Sequence, residues 1–145
     1  MSKDFADVRI PYGAYWSTPF CRWQTSFSDL HSIRFAADTA RKTLERKGIP
    51  LSAIDMAVLG TTVPQEKSFW GAPWLMSLMG SEDVSGPSIA QACATGTRCV
   101  AAAAAAIHTQ ESAVSLVVTC DRTSNTPVVT YPNPRGPGGA PQIEN

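Results

Sequence analysis

The chain has 145 residues, with twelve Lys and Arg against twelve Asp and Glu, so its formal charge is zero. That balance lacks the electrostatic footprint of a nucleic-acid binder, and no apolar run approaches the roughly 20 residues of a membrane span. One domain of this length buries roughly 68 to 70% of its unfolded surface, enough for a packed core.

Val8 to Trp16 carries β-formers and is ended by Thr18-Pro19, which predicts a strand followed by a loop. After Asp29-Leu-His-Ser32, the apolar residues Ile33, Ala36, Ala37, Ala40 and Leu44 recur at three- and four-residue spacing, with Lys47 in the last turn and Gly48 as the stop. This predicts an amphipathic helix. Ile54 to Thr62 is apolar through its middle without alternation, the pattern of a strand covered on both faces, and Pro64 ends it. Phe69 to Met79 reads as helix, but Gly71 and Pro73 leave its start open. A short strand at Pro87 to Ala90, a helix at Ala94 to His108 and a strand at Ala113 to Thr119 complete the series.

Alternating strands and helices predict an α/β fold, a mostly parallel sheet with helices on both faces. From Thr126 onward five prolines and three glycines exclude a helix or an interior strand. The expected organisation is an α/β domain over 1–126 and a Pro/Gly-rich loop or unfolded tail over 127–145. The six alanines Ala101 to Ala106 read as a buried central helix approached closely by its neighbours.

The chemistry concentrates at Cys93, placed between the short strand and the alanine-rich helix. At such a corner the first helical amides lack intrahelical partners and favour negative charge, which promotes the nucleophilic thiolate. Cys93 is the candidate catalytic residue. Gly96 reads as a glycine permitting close approach of backbone or substrate, or as a packing glycine. Cys99, six positions on, reads as core filler, and Cys21 and Cys120 receive no chemistry. His108 lies fifteen residues beyond Cys93, about 22 Å along a continuous helix, too far to be its base. His31 begins the first helix and reads as a cap or surface residue. Trp16, Trp23, Trp70 and Trp74 read as core and interface area rather than an acyl pocket, with Trp70 and Trp74 placed on one helical face. Cysteine and histidine show no zinc-type spacing, so no metal is expected. The absence of Cys-x-x-Cys and of an apolar h-region after Met1 predicts reduced thiols in an unexported protein, with the cytoplasm favoured and mitochondrion or peroxisome left open.

Four segments in order carry a family resemblance. They are Ser17-Thr-Pro-Phe-Cys-Arg-Trp-Gln-Thr-Ser-Phe-Ser-Asp-Leu30; Leu44-Glu-Arg-Lys-Gly-Ile49 with Ile54-Asp-Met-Ala-Val-Leu-Gly60; Gln91-Ala-Cys-Ala-Thr-Gly-Thr-Arg-Cys-Val100; and Ser115 to Thr119 with Ser124-Asn-Thr-Pro127. Together they resemble the N-terminal half of the thiolase superfamily, the third being similar to its Cys-x-Ser-Gly nucleophile motif with Thr95 in the serine place. The resemblance implies acyl transfer between acyl-CoA thioesters through an acyl-Cys93 intermediate, with coenzyme A thioester as substrate and no permanently bound cofactor. It also implies a homodimer paired through Pro87 to Ala90, or a partner chain carrying the C-terminal half, since the second half's histidine, asparagine and second-cysteine motifs do not occur here. Two alternatives stay open: a non-catalytic or truncated piece acting as an interaction partner, and a condensing enzyme using carrier-bound acyl chains.

Overall fold

In the computed structural model of the chain, which describes residues 5–132 and 142–144, the central element is a short strand, β1 (Met56–Gly60), and every one of its residues is buried. Met-Ala-Val-Leu-Gly offers no polar face to water, so both sides of the strand must be covered. Its side chains alternate between two clusters. Ala57 and Leu59 join Leu116, Val118, Ile33, Ala37, Ala40, Leu75 and Met76 on one face, while Met56 and Val58 join Cys99, Ala103 and Ala106 on the other. Period-two alternation across the pleat thus makes one strand the shared wall of two cores.

The first core is roofed by two helices. In α1 (Ser32–Arg46) the buried Ile33, Ala37, Ala40 and Leu44 follow the predicted spacing, and Asp38, Arg41, Lys42 and Glu45 on the solvent side form ion pairs at 2.7 to 3.2 Å. In α2 (Gly71–Met79), Leu75 and Met76 are 0% exposed. The start of α2 is resolved by chemistry from elsewhere in the chain. Gly71 adopts φ 55°, and a Cβ there would stand 1.9 Å from Ser88 Oγ, so only glycine fits. That same Oγ accepts the Ala72 N–H at 3.0 Å and caps the helix, while Pro73 falls in the first turn, where its missing N–H has no intrahelical partner to lose.

Two more strands, β2 (Ser88–Ile89) and β3 (Ser115–Thr119), pair parallel to β1 on either side, giving the order β2-β1-β3. The chain leaves β2, enters α3 (Thr95–His108) and returns to β3, so α3 crosses the face opposite α1 and α2. Helices therefore lie on both faces of a parallel sheet, as the alternation of elements predicts. At the amino ends of the strands Asp55 clamps the return: its carboxylate accepts Ser112 Oγ–H at 2.5 Å, Ala113 N–H at 2.8 Å and Val114 N–H at 3.2 Å.

Three expectations are corrected. Val8 to Trp16 is not a strand: Pro11 removes a ladder donor, a turn closes from Ala14 N–H to the Pro11 carbonyl at 3.0 Å, and Tyr12 is fully exposed. The tail segment carries an antiparallel pair, β4 (Val129–Tyr131) with β5 (Gln142–Glu144), in place of the loop or unfolded tail expected there; two strands can pair as an isolated ribbon where prolines bar an interior place. The intervening prolines and glycines lie outside the described residues. Finally, α3 is covered on one stripe only. Thr95, Cys99, Ala103 and Ala106 are buried, whereas Val100 and Ala105 are exposed, so the alanine helix is not enclosed by this chain.

Candidate active site at the start of α3

All three parallel strands end on one edge of the sheet, at Gly60, Ile89 and Thr119, and the polypeptide that follows each of them meets there. In open α/β sheets this carboxyl edge is where ligands bind. Three segments, the loop after β1, the residues after β3 and the N-terminal loop, are tied together at that edge by side-chain hydrogen bonds. Asp121, just past β3, accepts Thr62 N–H at 2.8 Å, Val63 N–H at 2.9 Å, and the hydroxyls of Thr61 and Thr62 at 2.9 and 2.6 Å, which locks the loop after β1. The N-terminal loop is held by Gln24 N–H donating to Ser124 Oγ at 2.8 Å, and by Arg122 and Asn125 both donating to the Ser28 carbonyl at 3.0 and 3.2 Å. Sequence reasoning did not single out Asp121, although polar residues directly after apolar strands are a readable mark of this edge.

Cys93 sits on the same edge, exposed, in a single 3-10 turn (Ala92–Ala94) that leads into α3. The preceding residue, Ala92, has φ 45°. A non-glycine residue pays roughly 1 to 2 kcal/mol for such a left-handed backbone, so neighbouring bonds must hold it there. The turn modifies the expected pattern of free amides. Ala94 N–H donates to the Gln91 carbonyl at 3.0 Å and Thr95 N–H donates to the Ala92 carbonyl, so two of the amides assigned to the thiol close the turn instead. Gly96 follows in the first turn of α3, and a Cβ built there would meet nothing within 4 Å. It is therefore not a packing glycine in this structure; it leaves open space beside the helix start.

The remaining cysteines divide by environment. Cys99 is fully buried against β1, and burial pushes its thiol pKa up. Cys120, half-buried near Ser32, is pushed up to about 12 by desolvation, and remains a neutral, unreactive thiol at physiological pH. Cys21 is exposed on the N-terminal loop.

Neither histidine is held for work on Cys93. His108 closes the far end of α3, its Nδ1 3.0 Å from Asp7 Oδ1, a contact that lowers the Asp7 pKa. His31 occupies the N-cap position of α1, yet its ring does not cap. Its Nε2 is 2.6 Å from the Glu66 carbonyl, and the ring stacks edge-on against Trp74 at 5.2 Å. The cap comes from buried Gln65, whose Oε1 accepts Ser32 N–H at 3.1 Å while its Nε2 donates to Ser32 Oγ at 2.8 Å. Trp16 and Trp74 are partly buried and pack against the first core, with the Arg34 guanidinium 5.3 Å from the Trp74 ring, whereas Trp23 and Trp70 are 65% and 62% exposed. Among the described residues no helix is long and apolar enough to cross a membrane.

Among curated proteins none matches the chain. Two solved structures resemble its fold: the Bacillus anthracis acetyl-CoA acetyltransferase (TM-score 0.70, 16% identity, covering 83% of this chain and 31% of that one) and an acetyl-CoA acetyltransferase from Syntrophomonas wolfei (TM-score 0.68, 23% identity, 88% and 33%). The chain thus spans about a third of the length of the structures it matches. The model of the thiolase N-terminal domain matches residues 14–141, taking in every parallel strand, all three helices and the Cys93 turn. The chain belongs to the thiolase family, as its N-terminal domain.

Proposed function

We propose that this chain is the nucleophile-bearing part of an acyl-CoA C-acyltransferase, moving acyl groups between CoA thioesters through an acyl-Cys93 intermediate once a second half completes the site. The observation that carries the reading is the placement of an exposed Cys93 at the carboxyl edge of the sheet, one turn before α3, inside a thiolase N-terminal domain. In the first step the Cys93 thiolate attacks the thioester carbonyl, the carbonyl oxygen takes the negative charge, and as the carbonyl re-forms the carbon–sulfur bond to coenzyme A breaks, coenzyme A leaving as a thiolate that takes a proton from solvent. The acyl group is then held on Cys93. In the second step a further acyl-CoA loses its α-proton to a base, its carbanion attacks the acyl carbon, and Cys93 is released as thiolate. Thiolytic cleavage is the same path reversed, and splitting one hard step into two is the advantage of the covalent route.

The α-proton base lies outside this reading of the chain, because His31 and His108 are both committed elsewhere. The C-terminal half that completes the site supplies it. Coenzyme A thioester is substrate rather than resident cofactor, and a reducing compartment such as the cytoplasm suits the free thiols. The same commitment of both histidines favours a second reading, an inactive piece that acts only as an interaction partner. Loading of the acyl group onto Cys93, the first step, needs no α-proton base, so mass spectrometry of the chain after incubation with acetyl-CoA separates the two. Acetyl on the Cys93 peptide, lost in Cys93→Ala, supports acyl transfer. No acetylated Cys93, or labelling that persists in Cys93→Ala, rejects it.

A further inference from the structure

Thr95 stands in the serine place of the nucleophile motif, and its side chain is 6% exposed. Its hydroxyl accepts Gln91 N–H at 2.7 Å and donates to the Ala92 carbonyl at 2.8 Å, so both bonds close on the residues just before the thiol. One of those residues is Ala92, the alanine held at φ 45°. The other branch of Thr95, its methyl Cγ2, lies over Gly60 of β1, 2.9 Å from where a Cβ of that residue would stand, beside Cys99 Sγ and Thr119 Cγ2. A β-branched side chain is stiff about χ1, so one rotamer serves both ends: the methyl keys into the gap above Gly60 and the hydroxyl is aimed at the turn. Serine would carry the same hydroxyl without the key.

We propose that Thr95 is the positioning residue of the Cys93 turn: its hydroxyl, aimed by the methyl seated over Gly60, holds Ala92 left-handed and so presents the Cys93 thiol at the start of α3. This rests on the acyl-accepting role proposed for Cys93 and adds how that thiol is held. The test needs no acyl-CoA. Iodoacetamide alkylation of the full 145-residue chain is followed by peptide mass spectrometry, with the rate at Cys93 divided by that at Cys21, which is also exposed. Circular dichroism confirms folding of each variant.

Thr95→Val keeps the branched shape and removes the hydroxyl, and the Cys93/Cys21 ratio falls about three- to tenfold, as one lost hydrogen bond dictates. Thr95→Ser keeps the hydroxyl but loses the methyl that aims it, so the ratio falls by less than in Thr95→Val, about twofold. Ala92→Gly with Thr95→Val restores much of it, because glycine adopts the left-handed backbone without strain. An unchanged ratio in folded Thr95→Val, or equal losses in Thr95→Ser and in the double variant, overturns the proposal. If Thr95→Val does not fold, Thr95→Ala decides in its place, a fall of about three- to tenfold supporting the proposal and an unchanged ratio overturning it. Failure of acyl transfer leaves these ratios intact, and failure of the ratios leaves an acetylated Cys93 intact, so the two readings fall separately.

Discussion

Replacing Gly60 by alanine tests how closely α3 must approach the sheet for the Cys93 turn to form. The added Cβ would stand 2.7 Å from Cys99 Sγ and 2.9 Å from both Thr119 Cγ2 and Thr95 Cγ2, all inside van der Waals contact. Thr119 is exposed and can turn its methyl aside, but Cys99 is 0% and Thr95 6% exposed, so against those two the strand or the helix must shift. Overpacking of this kind costs about 1 to 3 kcal/mol, which in a domain of this size lowers Tm by about 3 to 9 °C. Thermal unfolding followed by circular dichroism measures it. Cys99→Ala removes the nearest of the three atoms, so the Gly60→Ala penalty is smaller in that background, with a coupling of about 0.5 to 1.5 kcal/mol. A Gly60→Ala chain that melts with the parent, or a penalty identical in both backgrounds, refutes the packing argument and with it the keyed position of Thr95.

Three further outcomes follow from the same geometry. Under native conditions at pH 8, iodoacetamide labels Cys93 and Cys21 and spares Cys99 and Cys120, with all four labelled only after denaturation; rapid native labelling of Cys120 contradicts the burial that holds its thiol near 12. Leu59→Ala, at a site with 0% exposure shared by the first core, lowers the urea-unfolding free energy by about 2 to 5 kcal/mol. Asp55→Asn weakens the clamp on Ser112, Ala113 and Val114 by about 1 to 2 kcal/mol at pH 7, a figure reduced for its exposure to solvent. The Asp55 pKa is lowered in the fold, chiefly by the Ser112 hydroxyl, so its contribution is present above the unfolded carboxylate value of about 3.9 and is lost as pH falls below it. The gap between parent and Asp55→Asn therefore closes between pH 5 and about pH 3 in urea titrations, and a gap that widens on acidification sinks the assignment.

The parts of the fold that were legible in the sequence are those whose information is local. The unbroken apolar run of β1 announces a strand covered on both faces, the spacing of Ile33, Ala37, Ala40 and Leu44 announces one helical face, and the strand-to-helix corner that carries Cys93 is legible as a corner. What sequence reasoning missed is carried by bonds between distant segments. Ser88 caps α2 and Gln65 caps α1, so neither helix shows a capping residue at its own start. Asp121 fastens the loop after β1 across the sheet edge, and no periodicity encodes that pairing. Val8 to Trp16 failed for the converse reason: β-forming residues without a neighbouring strand have no ladder to join, and Pro11 with its turn decides the local path. The outer stripe of α3 misled too, because alanine signals helix and small size but says nothing about what covers each face.

The most direct test of the account sets Cys93 against Cys21 within single molecules, both thiols being exposed and differing in where the backbone holds them. The chain is incubated with acetyl-CoA, and acetylation of the two cysteine peptides is followed over time by mass spectrometry. An acyl-accepting thiol at the helix start is acetylated faster than Cys21 by about a hundredfold, the low end of what one oxyanion-hole donor supplies. Equal rates at the two positions would contradict the account.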